Sequence, residues 1–468
     1  MSGQKRVRLG LALVLGTMLV SLVAGPASAA TTTVRYVDDN PKSTACNHTS
    51  FHTIQGAINA SDAADIVYVC PGTYHESIVI DVPKLLVQST KPRMAHIVPP
   101  AANNGAAVVM ESAGSALKGF SIDIPSGEGF NPSVGAGGLA DCSLVIAAVV
   151  VLNSNIRVIS NRIVATGDDT LSGDCGYLIG ILAGLETVDV DVTQSPGAGA
   201  NAAPSFIPMP NANLRFKRNY IRDFKLAGIL VGGDTTARIV HNAIRYVHRD
   251  DPFTCVPVNT IDATAGLTLP CQPFAAQGVN PLNGELGFSI GIGAGLGARV
   301  DILYNQVFST LDFDLPEFIQ VPLFMGIATL FADQGSRVSQ NVVTQVYAGI
   351  AIDPFLEVGP PVVRPTGASG SSNLDVTFNR ANEGFYGIVV DGTNNYVYAN
   401  RTRLNVLGLI SFEGSNNLFD ENDSRFNWDL DCLDDTLGTG TAGTANTWVN
   451  NVGNTDVPDG ICEPLDTN

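Results

Sequence analysis

The sequence predicts an all-β solenoid of stacked parallel strands, and three observations support this fold class. The chain has 468 residues, of which 48 are Gly and only 15% are charged, against about 25% in an average soluble domain. A unit containing Asn and, further on, Gly recurs along the chain, with Asn-to-Asn spacings of 21, 22 and 23 residues where no insertion intervenes. Each unit holds short apolar runs rich in β-branched residues, which favour strands over helices.

The first 29 residues are typical of a secretory signal peptide. Lys5, Arg6 and Arg8 precede the apolar run Leu9–Ala24, and the small-residue sequence Ala27–Ala29 follows. We expect cleavage near Ala29, with an uncleaved anchor helix as the alternative. Since no later stretch approaches the roughly 18 apolar residues of a membrane helix, the sequence predicts a secreted protein without a membrane span after cleavage.

The chain after the signal is acidic but sparsely charged. It carries 23 Lys and Arg against 44 Asp and Glu, a net charge of −21. A negative chain of low charge content argues against nucleic acid as a partner. We expect a monomer.

The repeat becomes regular from about residue 155. Its first half reads as an apolar residue, two variable residues, Asn, a variable residue and an apolar residue. Its second half is a Gly followed by an apolar residue, eight or nine positions after the Asn. The repeat Asn residues are Asn161, Asn219, Asn242, Asn305, Asn341, Asn379, Asn400 and Asn422.

Stacking of these units explains the pattern. One unit cannot bury its apolar side alone, whereas stacked units bury a continuous core. The repeated Asn predicts a turn in every coil, at which Asn tolerates left-handed backbone and bonds to the Asn of the next coil. The coils should lie about 4.8 Å apart.

The eight cysteines all follow the signal, and their even number in an exported chain favours disulfides. Sequential pairing is favoured because each neighbouring pair brackets one local excursion, although eight cysteines allow 105 connectivities. A metal site is the alternative, without any CxxC or clustered His/Cys spacing to support it. The cysteines are Cys46, Cys70, Cys142, Cys175, Cys255, Cys271, Cys432 and Cys462.

The two ends of the chain resemble a known family. The segment Phe51–Ile58 and the following Asp65–Glu76, which contains a "PGTY-x-E" sequence, are similar to the start of right-handed parallel β-helix proteins of the pectate-lyase-like superfamily, especially secreted bacterial ones. The segments Asn427–Cys432, Asn446–Trp448 and Gly460–Cys462 are similar to that family's closing coil. The resemblance covers about residues 34–464 and implies the fold. It implies no single activity, because this fold hosts lyases, hydrolases, epimerases and non-catalytic surface proteins.

The predicted organisation is one domain. Residues 1–29 form the signal and residues 30–464 a right-handed parallel β-helix, with a cap and first coil over 30–80 and a disulfide-closed last coil over 425–464. We expect a short capping helix at Thr53–Ala60, tied to the first coil by Cys46–Cys70, because an uncapped solenoid exposes apolar faces and strand edges. Cys432–Cys462 should close the other end.

Insertions point to a site. Excursions precede the Gly-containing strand at about 125–143, 166–177, 249–286 and 311–323, whereas the unit of Asn219 has only the short connection Arg222–Ala227. Stacked loops with one short coil between them should leave a notch, and loops that wall one face of a solenoid commonly carry its function.

The same region is basic. Between Asn213 and Arg249 the chain carries eight Lys and Arg against two Asp, a local charge of +6. Alignment on the Asn residues stacks these side chains in outward-facing columns. The substrate-binding candidates are Arg215, Arg218, Arg222, Lys225 and Arg238. The catalytic candidates are His241, Arg245, His248 and Asp250.

The columns have two interpretations. Arg side chains bind carboxylates in bidentate fashion, and a uronate lyase also needs a Lys, Arg or His to remove a proton. The alternative is a stabilising charge ladder, since the column of Arg238 continues as Asp301, Arg337 and Asp375. Arg222, Arg245, His241 and His248 lack acidic neighbours in register.

The predicted function is binding of an anionic polysaccharide, with cleavage by a lyase or hydrolase left open. A non-catalytic surface, scaffold or accessory protein is the alternative, since no catalytic motif is complete. No cofactor is required by the sequence. The pairs Asp312/Asp314 and Asp429/Asp431 offer oxygen ligands for calcium, but without a calcium-loop motif.

Overall fold

Three parallel sheets account for nearly all regular structure in the computed structural model. We call them sheets A, B and C in the order in which each coil visits them. The structure describes residues 32–40, 46, 50–100, 106–124, 145–165, 177–188, 205–208, 212–224, 227–246, 255–257, 260–262, 266–268, 271–273, 288–295, 297–309, 323–353 and 371–464. Within these ranges the predicted solenoid of parallel strands is confirmed.

The strands of each sheet follow one another along the stack. Sheet A consists of Val34–Val37, Ile66–Val69, Leu86–Ser89, Ala116–Lys118, Arg157–Ile159, Leu214–Lys217, Thr236–Val240, Arg299–Leu303, Arg337–Ser339, Asp375–Thr377, Tyr396–Tyr398, Leu418–Asp420 and Thr447–Val449. We number the coils from the strand Ile66–Val69, which opens coil 1, to Thr447–Val449, which opens coil 12.

Sheets B and C complete each coil. Sheet B consists of Gly72–Tyr74, Ala95–Ile97, Ser121–Ile124, Arg162–Ala165, Tyr220–Arg222, Ala243–Tyr246, Gln306–Ser309, Val342–Thr344, Arg380–Asn382, Arg401–Arg403 and Asp423–Ser424. Sheet C consists of Ile78–Ile80, Ala106–Met110, Val145–Val151, Tyr177–Ala183, Ala227–Val231, Phe288–Gly295, Leu323–Leu330, Ala348–Ile352, Tyr386–Val390, Leu407–Ser411, Leu430–Asp434 and Asp456–Val457.

The core lies between the inward faces of the three sheets. In most strands of sheets A and B, buried residues alternate with more exposed ones, so that equivalent apolar side chains stack coil upon coil. Strands of sheet C such as Ala348–Ile352 are buried along their whole length. In sheet A, Phe216, Ile239 and Ile302 occupy one such row and are all 0% exposed. This continuous row is the burial that a single unit could not achieve.

The repeat Asn residues form the predicted ladder. The side-chain oxygen of Asn305 accepts from the backbone N–H and the side-chain amide of Asn242, at 2.9 and 3.0 Å. The amide of Asn305 donates to Ile239 O and to Asn341 Oδ1, at 2.9 and 3.0 Å. Every polar atom of this buried side chain is therefore satisfied, as burial requires. The register of all these units agrees with the alignment made from the sequence.

One detail of the ladder prediction is wrong. The left-handed backbone falls on the residue before each Asn, not on the Asn itself: φ is 56° at His241 and 57° at Tyr304. The reason is that the Asn side chain points inward to the ladder, so the preceding residue makes the bend between sheets A and B.

The N-terminal cap forms as predicted. The helix Ile54–Asn59 begins after Thr53, whose hydroxyl accepts from Gly56 N at 3.2 Å. The carboxylate of Glu76 accepts from the backbone N–H groups of Ile54 and Gln55, at 2.7 and 3.0 Å. These bonds satisfy donors that a helix N-terminus leaves free, and they explain the Glu of the "PGTY-x-E" sequence.

Two disulfides join described cysteines. One links Cys46 to Cys70 and the other Cys432 to Cys462, the two pairs expected at the ends of the stack. A short 3₁₀ helix, Thr441–Gly443, precedes the last strand of sheet A. Cys142 and Cys175 lie outside the described residues, as do the side chains of Cys255 and Cys271, whose strands Cys255–Pro257 and Cys271–Pro273 pair antiparallel.

Two insertions join each other in a small antiparallel sheet. The strands Leu185–Val188 and Ser205–Pro208 follow sheet C in coil 4, and Thr260–Asp262 and Gly266–Thr268 precede sheet C in coil 6. Ser205 and Phe206 pair with Thr268 and Leu267. One insertion therefore follows a strand of sheet C and the other precedes one, and the two pair with each other.

The predicted signal peptide lies outside the described residues, among which no helix has the length and apolarity to cross a bilayer.

Candidate functional site: the corner between sheets A and B

The corner between sheets A and B carries the basic residues singled out in the sequence. From coil 4 to coil 12, one residue per coil adopts left-handed backbone at this corner, with its side chain directed away from the Asn ladder. Arg218 holds this position in coil 5, His241 in coil 6 and Tyr304 in coil 7, and all three are exposed. The corner thus presents one free side chain per coil, in a row parallel to the stack.

Basic side chains cluster on the sheet A side of this corner. Arg215 and Arg238 are in register on neighbouring strands, and both are exposed. Lys217 lies between Arg215 and the corner, where Arg218 and His241 follow. We call Arg215, Lys217, Arg218, Arg238 and His241 the basic surface. Four of these five residues belong to the predicted site. Within the described ranges no ion pair involves any of its Lys or Arg side chains.

The electrostatics of the basic surface show uncompensated positive charge. The charge of Arg218, followed by desolvation and the charges of Arg215 and Arg238, lowers the pKa of Lys217. Desolvation, followed by the charges of Lys217 and Arg218, lowers the pKa of His241. Like charges disfavour the protonated form, so this surface would be stabilised by a bound anion.

Beyond the basic surface, the column of Arg238 contains acidic residues as well as Arg. Arg238, Asp301, Arg337 and Asp375 are in register, as the sequence alignment predicts. Arg337 Nε and its terminal nitrogen donate to the two oxygens of Asp301, at 2.8 and 2.9 Å. The charge ladder therefore exists between coils 7 and 8. It leaves Arg238 without a dedicated carboxylate, because Asp301 is bound to Arg337.

Two of the remaining site candidates, Arg222 and Arg245, lie on another surface. Arg222 and Arg245 are in register on sheet B, across the Asn ladder from the basic surface. Arg222 does have an acidic neighbour: its Nε lies 3.2 Å from Asp223 Oδ2. The guanidinium of Arg245 lies 5.9 Å from the ring centre of Phe308. Lys225, His248 and Asp250 lie outside the described residues.

The aromatic residues near the basic columns are packing residues. Phe224 is 2% exposed, and its ring centre lies 5.8 Å from that of Tyr246 and 6.2 Å from that of Phe324. Tyr246 also stacks on Phe324 at 4.6 Å. Most residues of the loops that form the predicted notch lie outside the described residues.

A groove continues the same corner through coils 7 to 11. Its volume is about 520 Å³. Two exposed rings, Tyr304 and Phe378, occupy the left-handed corner position, and Arg380 and Arg401 lie on the first outward row of sheet B. We call this the corner groove. Its lining residues are Tyr304, Gln340, Asn341, Val342, Phe378, Asn379, Arg380, Ala399, Asn400, Arg401, Glu421 and Asp423.

Both acidic side chains that line the corner groove have hydrogen-bond partners. Asp423 accepts from Arg403 at 2.9 Å and from Arg425 at 2.5 Å, and lies 3.8 Å from Arg401 Nε. Although desolvation acts the other way, the hydrogen bonds from Arg425 and Arg403 lower the pKa of Asp423. Glu421 accepts from the hydroxyl of Tyr398 at 2.9 Å. The two Arg and two acids that line the groove balance formally.

This groove was not predicted from the sequence, although the repeat contains the residues that form it. The column one residue before Asn was recognised at Arg218 and His241, and the same alignment places Tyr304 and Phe378 in it. No local run of aromatic residues marks this row in the sequence. Rings that are neighbours across coils are tens of residues apart in the chain.

The outer face of sheet C has a different composition. Its central outward row contains only apolar residues or Gly from coil 2 to coil 11: Val109, Val150, Leu182, Leu230, Gly293, Ala328, Ala351, Val389, Ile410 and Leu433. Acid–base chemistry needs titratable side chains, and this row offers none.

Oxygen and sulfur ligands for a metal are few among the described residues. The one cluster of suitable atoms comprises Asp38, Cys46 and Cys70, and its cysteines form a disulfide. Of the calcium candidates, Asp431 accepts from Asn427 N at 3.0 Å through one oxygen and from Asn454 N at 2.7 Å through the other. Asp312 and Asp314 lie outside the described residues.

The chain winds through the three sheets in the same order in every coil. Each coil runs through sheets A, B and C and returns to sheet A one strand further on, and such crossovers between parallel strands are right-handed in about 98% of cases. The chain is a right-handed parallel β-helix.

Several solved structures are similar to this chain. The β-helix resembles the Dettilon tailspike protein (16% identity, 90% of this chain and 67% of that chain, TM-score 0.45). It also resembles the DFA-IIIase of Arthrobacter chlorophenolicus A6 (13% identity, 90% and 93%, TM-score 0.44) and pectate lyase Pel9A (11% identity, 79% and 80%, TM-score 0.41). No protein-family model and no curated protein sequence matches the chain. With TM-scores below 0.5 and identities this low, these likenesses carry no conclusion about the activity of this chain.

Proposed function

We propose that this β-helix is an exported protein that binds an anionic polysaccharide along the corner between sheets A and B. The supporting observation is the basic surface, where four Lys and Arg side chains lie together without a carboxylate partner among the described residues. The charge of Arg218 is the largest cause of the lowered pKa of Lys217, and the charges of Lys217 and Arg218 add to desolvation in lowering the pKa of His241. An ordered row of cations on a rigid sheet suits a polymer with carboxylates along its length.

Binding, rather than cleavage, is the function that the described residues support. The candidate acid Asp250 and the candidate base His248 lie outside them. His241 sits among cations that weaken its proton affinity, and no carboxylate is paired with it in the described ranges.

The test is binding of polygalacturonate by isothermal titration calorimetry at low and at high salt. We expect Arg215→Ala combined with Arg218→Ala and Arg238→Ala to weaken binding about tenfold or more, since charged hydrogen bonds contribute about 1.5–3 kcal/mol each and 1.4 kcal/mol is a factor of ten. High salt should weaken binding of the wild-type protein in the same direction.

The matched control is Arg93→Ala. Arg93 is also an exposed Arg with left-handed backbone in the connection from sheet A to sheet B, but it belongs to coil 2. Its removal should leave the affinity unchanged. Equal binding by the triple variant and the wild type would contradict the proposal, as would no binding of any acidic polysaccharide. Ultraviolet absorbance of unsaturated products and assay of reducing ends would reveal any cleavage in the same samples.

A further inference from the structure

The corner groove differs chemically from the basic surface that it extends. The basic surface presents four cations without a paired anion, whereas the groove combines exposed rings with balanced charges. Tyr304 is 46% exposed and Phe378 is 52% exposed. Exposed aromatic faces bind the apolar C–H faces of sugar rings, and nearby amide, guanidinium and carboxylate groups bond to hydroxyls. Gln340 and Arg380 are such neighbours in the groove.

The two rings occupy costly positions. Both have left-handed backbone, with φ of 57° at Tyr304 and 56° at Phe378. This conformation is unfavourable for a bulky residue, and their exposure recovers little burial energy in return. Other coils place Ser160, Gln340 or Ala399 at the equivalent position, so the bend itself does not require an aromatic ring.

Neighbouring side chains hold both rings in place. The Tyr304 ring stacks on His241 with 5.0 Å between ring centres and 23° between planes. Phe378 meets the Tyr398 ring edge-on at 5.4 Å, and Tyr398 is fixed by its hydrogen bond to Glu421. Rings that are already ordered lose little conformational entropy when a ligand binds.

The spacing of the rings suits an extended glycan. Tyr304 lies in coil 7 and Phe378 in coil 9, so about 9.6 Å of stack separates their backbones, at about 4.8 Å per coil. That span is close to the length of a disaccharide in an extended chain. The His241–Tyr304 stack also makes the groove continuous with the basic surface, so one polymer running along the corner would contact both.

We infer that the corner groove binds uncharged sugar residues of the polymer whose acidic residues lie on the basic surface. The preferred ligand is then a heteropolysaccharide that carries both kinds of residue in one chain, aligned parallel to the stack. This inference rests on the proposed function, because it assigns the acidic part of the ligand to the basic surface.

The experiment compares two polymers by calorimetry at one ionic strength. Polygalacturonate is acidic at every residue, whereas gellan carries one uronic acid among neutral sugars in each repeat. The test variant is Tyr304→Ala with Phe378→Ala. The control is Phe426→Ala, because Phe426 is likewise 59% exposed with φ of 62° but follows sheet B instead of preceding it. Circular dichroism verifies the fold of each variant.

We expect the wild-type protein to bind gellan about tenfold more tightly than polygalacturonate, a difference of about 1.4 kcal/mol. The double variant should lose this preference while its affinity for polygalacturonate stays the same, and the control should change neither. Unchanged gellan affinity in the double variant, or no preference for gellan in the wild type, would overturn the inference. If polygalacturonate binding still depends on Arg215, Arg218 and Arg238, the proposed function survives that result. Failure of every acidic polymer to bind overturns both.

Discussion

His241 links the two parts of the corner at the scale of a single residue. Desolvation, followed by the charges of Lys217 and Arg218 on the basic surface, lowers its pKa, and its ring stacks on Tyr304 of the corner groove. Because its pKa lies below the ordinary value, the imidazole is neutral at neutral pH and adds no charge there. A bound polyanion would favour its protonated form.

Binding of polygalacturonate should therefore strengthen as the pH falls. A polyanion raises the lowered pKa of His241, so binding takes up a proton and the affinity rises on going from about pH 7.5 to about pH 5, where carboxylates of ordinary pKa remain ionised. His241→Gln should abolish this rise with little effect at the upper pH. His75→Gln, at an exposed His in coil 1, should keep it. The measurement is calorimetry across the pH series, and an equal rise in His241→Gln would refute the role.

At the scale of an element, the N-terminal cap gives a structural role to the Glu of the "PGTY-x-E" sequence. The helix Ile54–Asn59 has six residues, too few for a helix to be stable alone. Its first turn is held by Glu76 from the connection between sheets B and C in coil 1. The carboxylate thereby ties the cap to the first complete coil, close to the disulfide of Cys46 and Cys70.

Removing this carboxylate should weaken the cap. We expect Glu76→Ala to lower the free energy of unfolding by about 2 kcal/mol, because two helix N–H groups lose a charged acceptor. Urea denaturation followed by circular dichroism measures the change. Asp81→Ala, which removes an exposed carboxylate at the end of the same coil, is the control. A midpoint for Glu76→Ala equal to that of the control would show that the helix is held by packing alone.

At the scale of the whole molecule, the coils behave as interchangeable units. Asn379 and Asn400 occupy equivalent positions in coils 9 and 10, and Arg380 pairs in register with Arg401. In such a stack each unit contacts its neighbours only, so stability is approximately a sum over units and their interfaces. One complete unit should therefore be removable without loss of the fold.

Deletion of residues 380–400 tests this idea. The deletion joins Asn379 to Arg401 and removes one complete unit, so the ladder and all three sheets can close in register. We expect a soluble protein with a β-type circular dichroism spectrum and cooperative thermal unfolding. Deletion of residues 380–395, which removes a fraction of a unit, shifts every later strand out of register and should give aggregated protein. Equal behaviour of the two deletions would contradict the unit model.

The sequence predicts the repeated part of this molecule better than its unique parts. Asn219, Asn242 and Asn305 identify the coils, and the apolar positions beside them identify the inward faces, because one rule applies in every unit. The pairing of Ser205 with Thr268 follows no such rule. It joins two insertions that differ in sequence, one of which follows a strand of sheet C while the other precedes one.

The site was predictable only in part, for a physical reason. The positive stretch around Arg215 and Arg238 is visible as composition, and its register follows from the Asn alignment. Whether each Arg is paired depends on side-chain geometry: Arg337 binds Asp301 while Arg238 does not. The rings of Tyr304 and Phe378 become a feature only when a left-handed backbone turns them outward at the same corner.

The left-handed corner residue gives each coil one side chain that is free of the core. Because the Asn beside it supplies the structural hydrogen bonds, selection can change this residue with little effect on folding. Along the stack the corner is therefore a row of variable surface positions, which runs from Arg218 and His241 through Tyr304 to Phe378 and Glu421. Duplication of a coil would lengthen this row, and substitution at the corner would change its chemistry, while the β-helix stays intact.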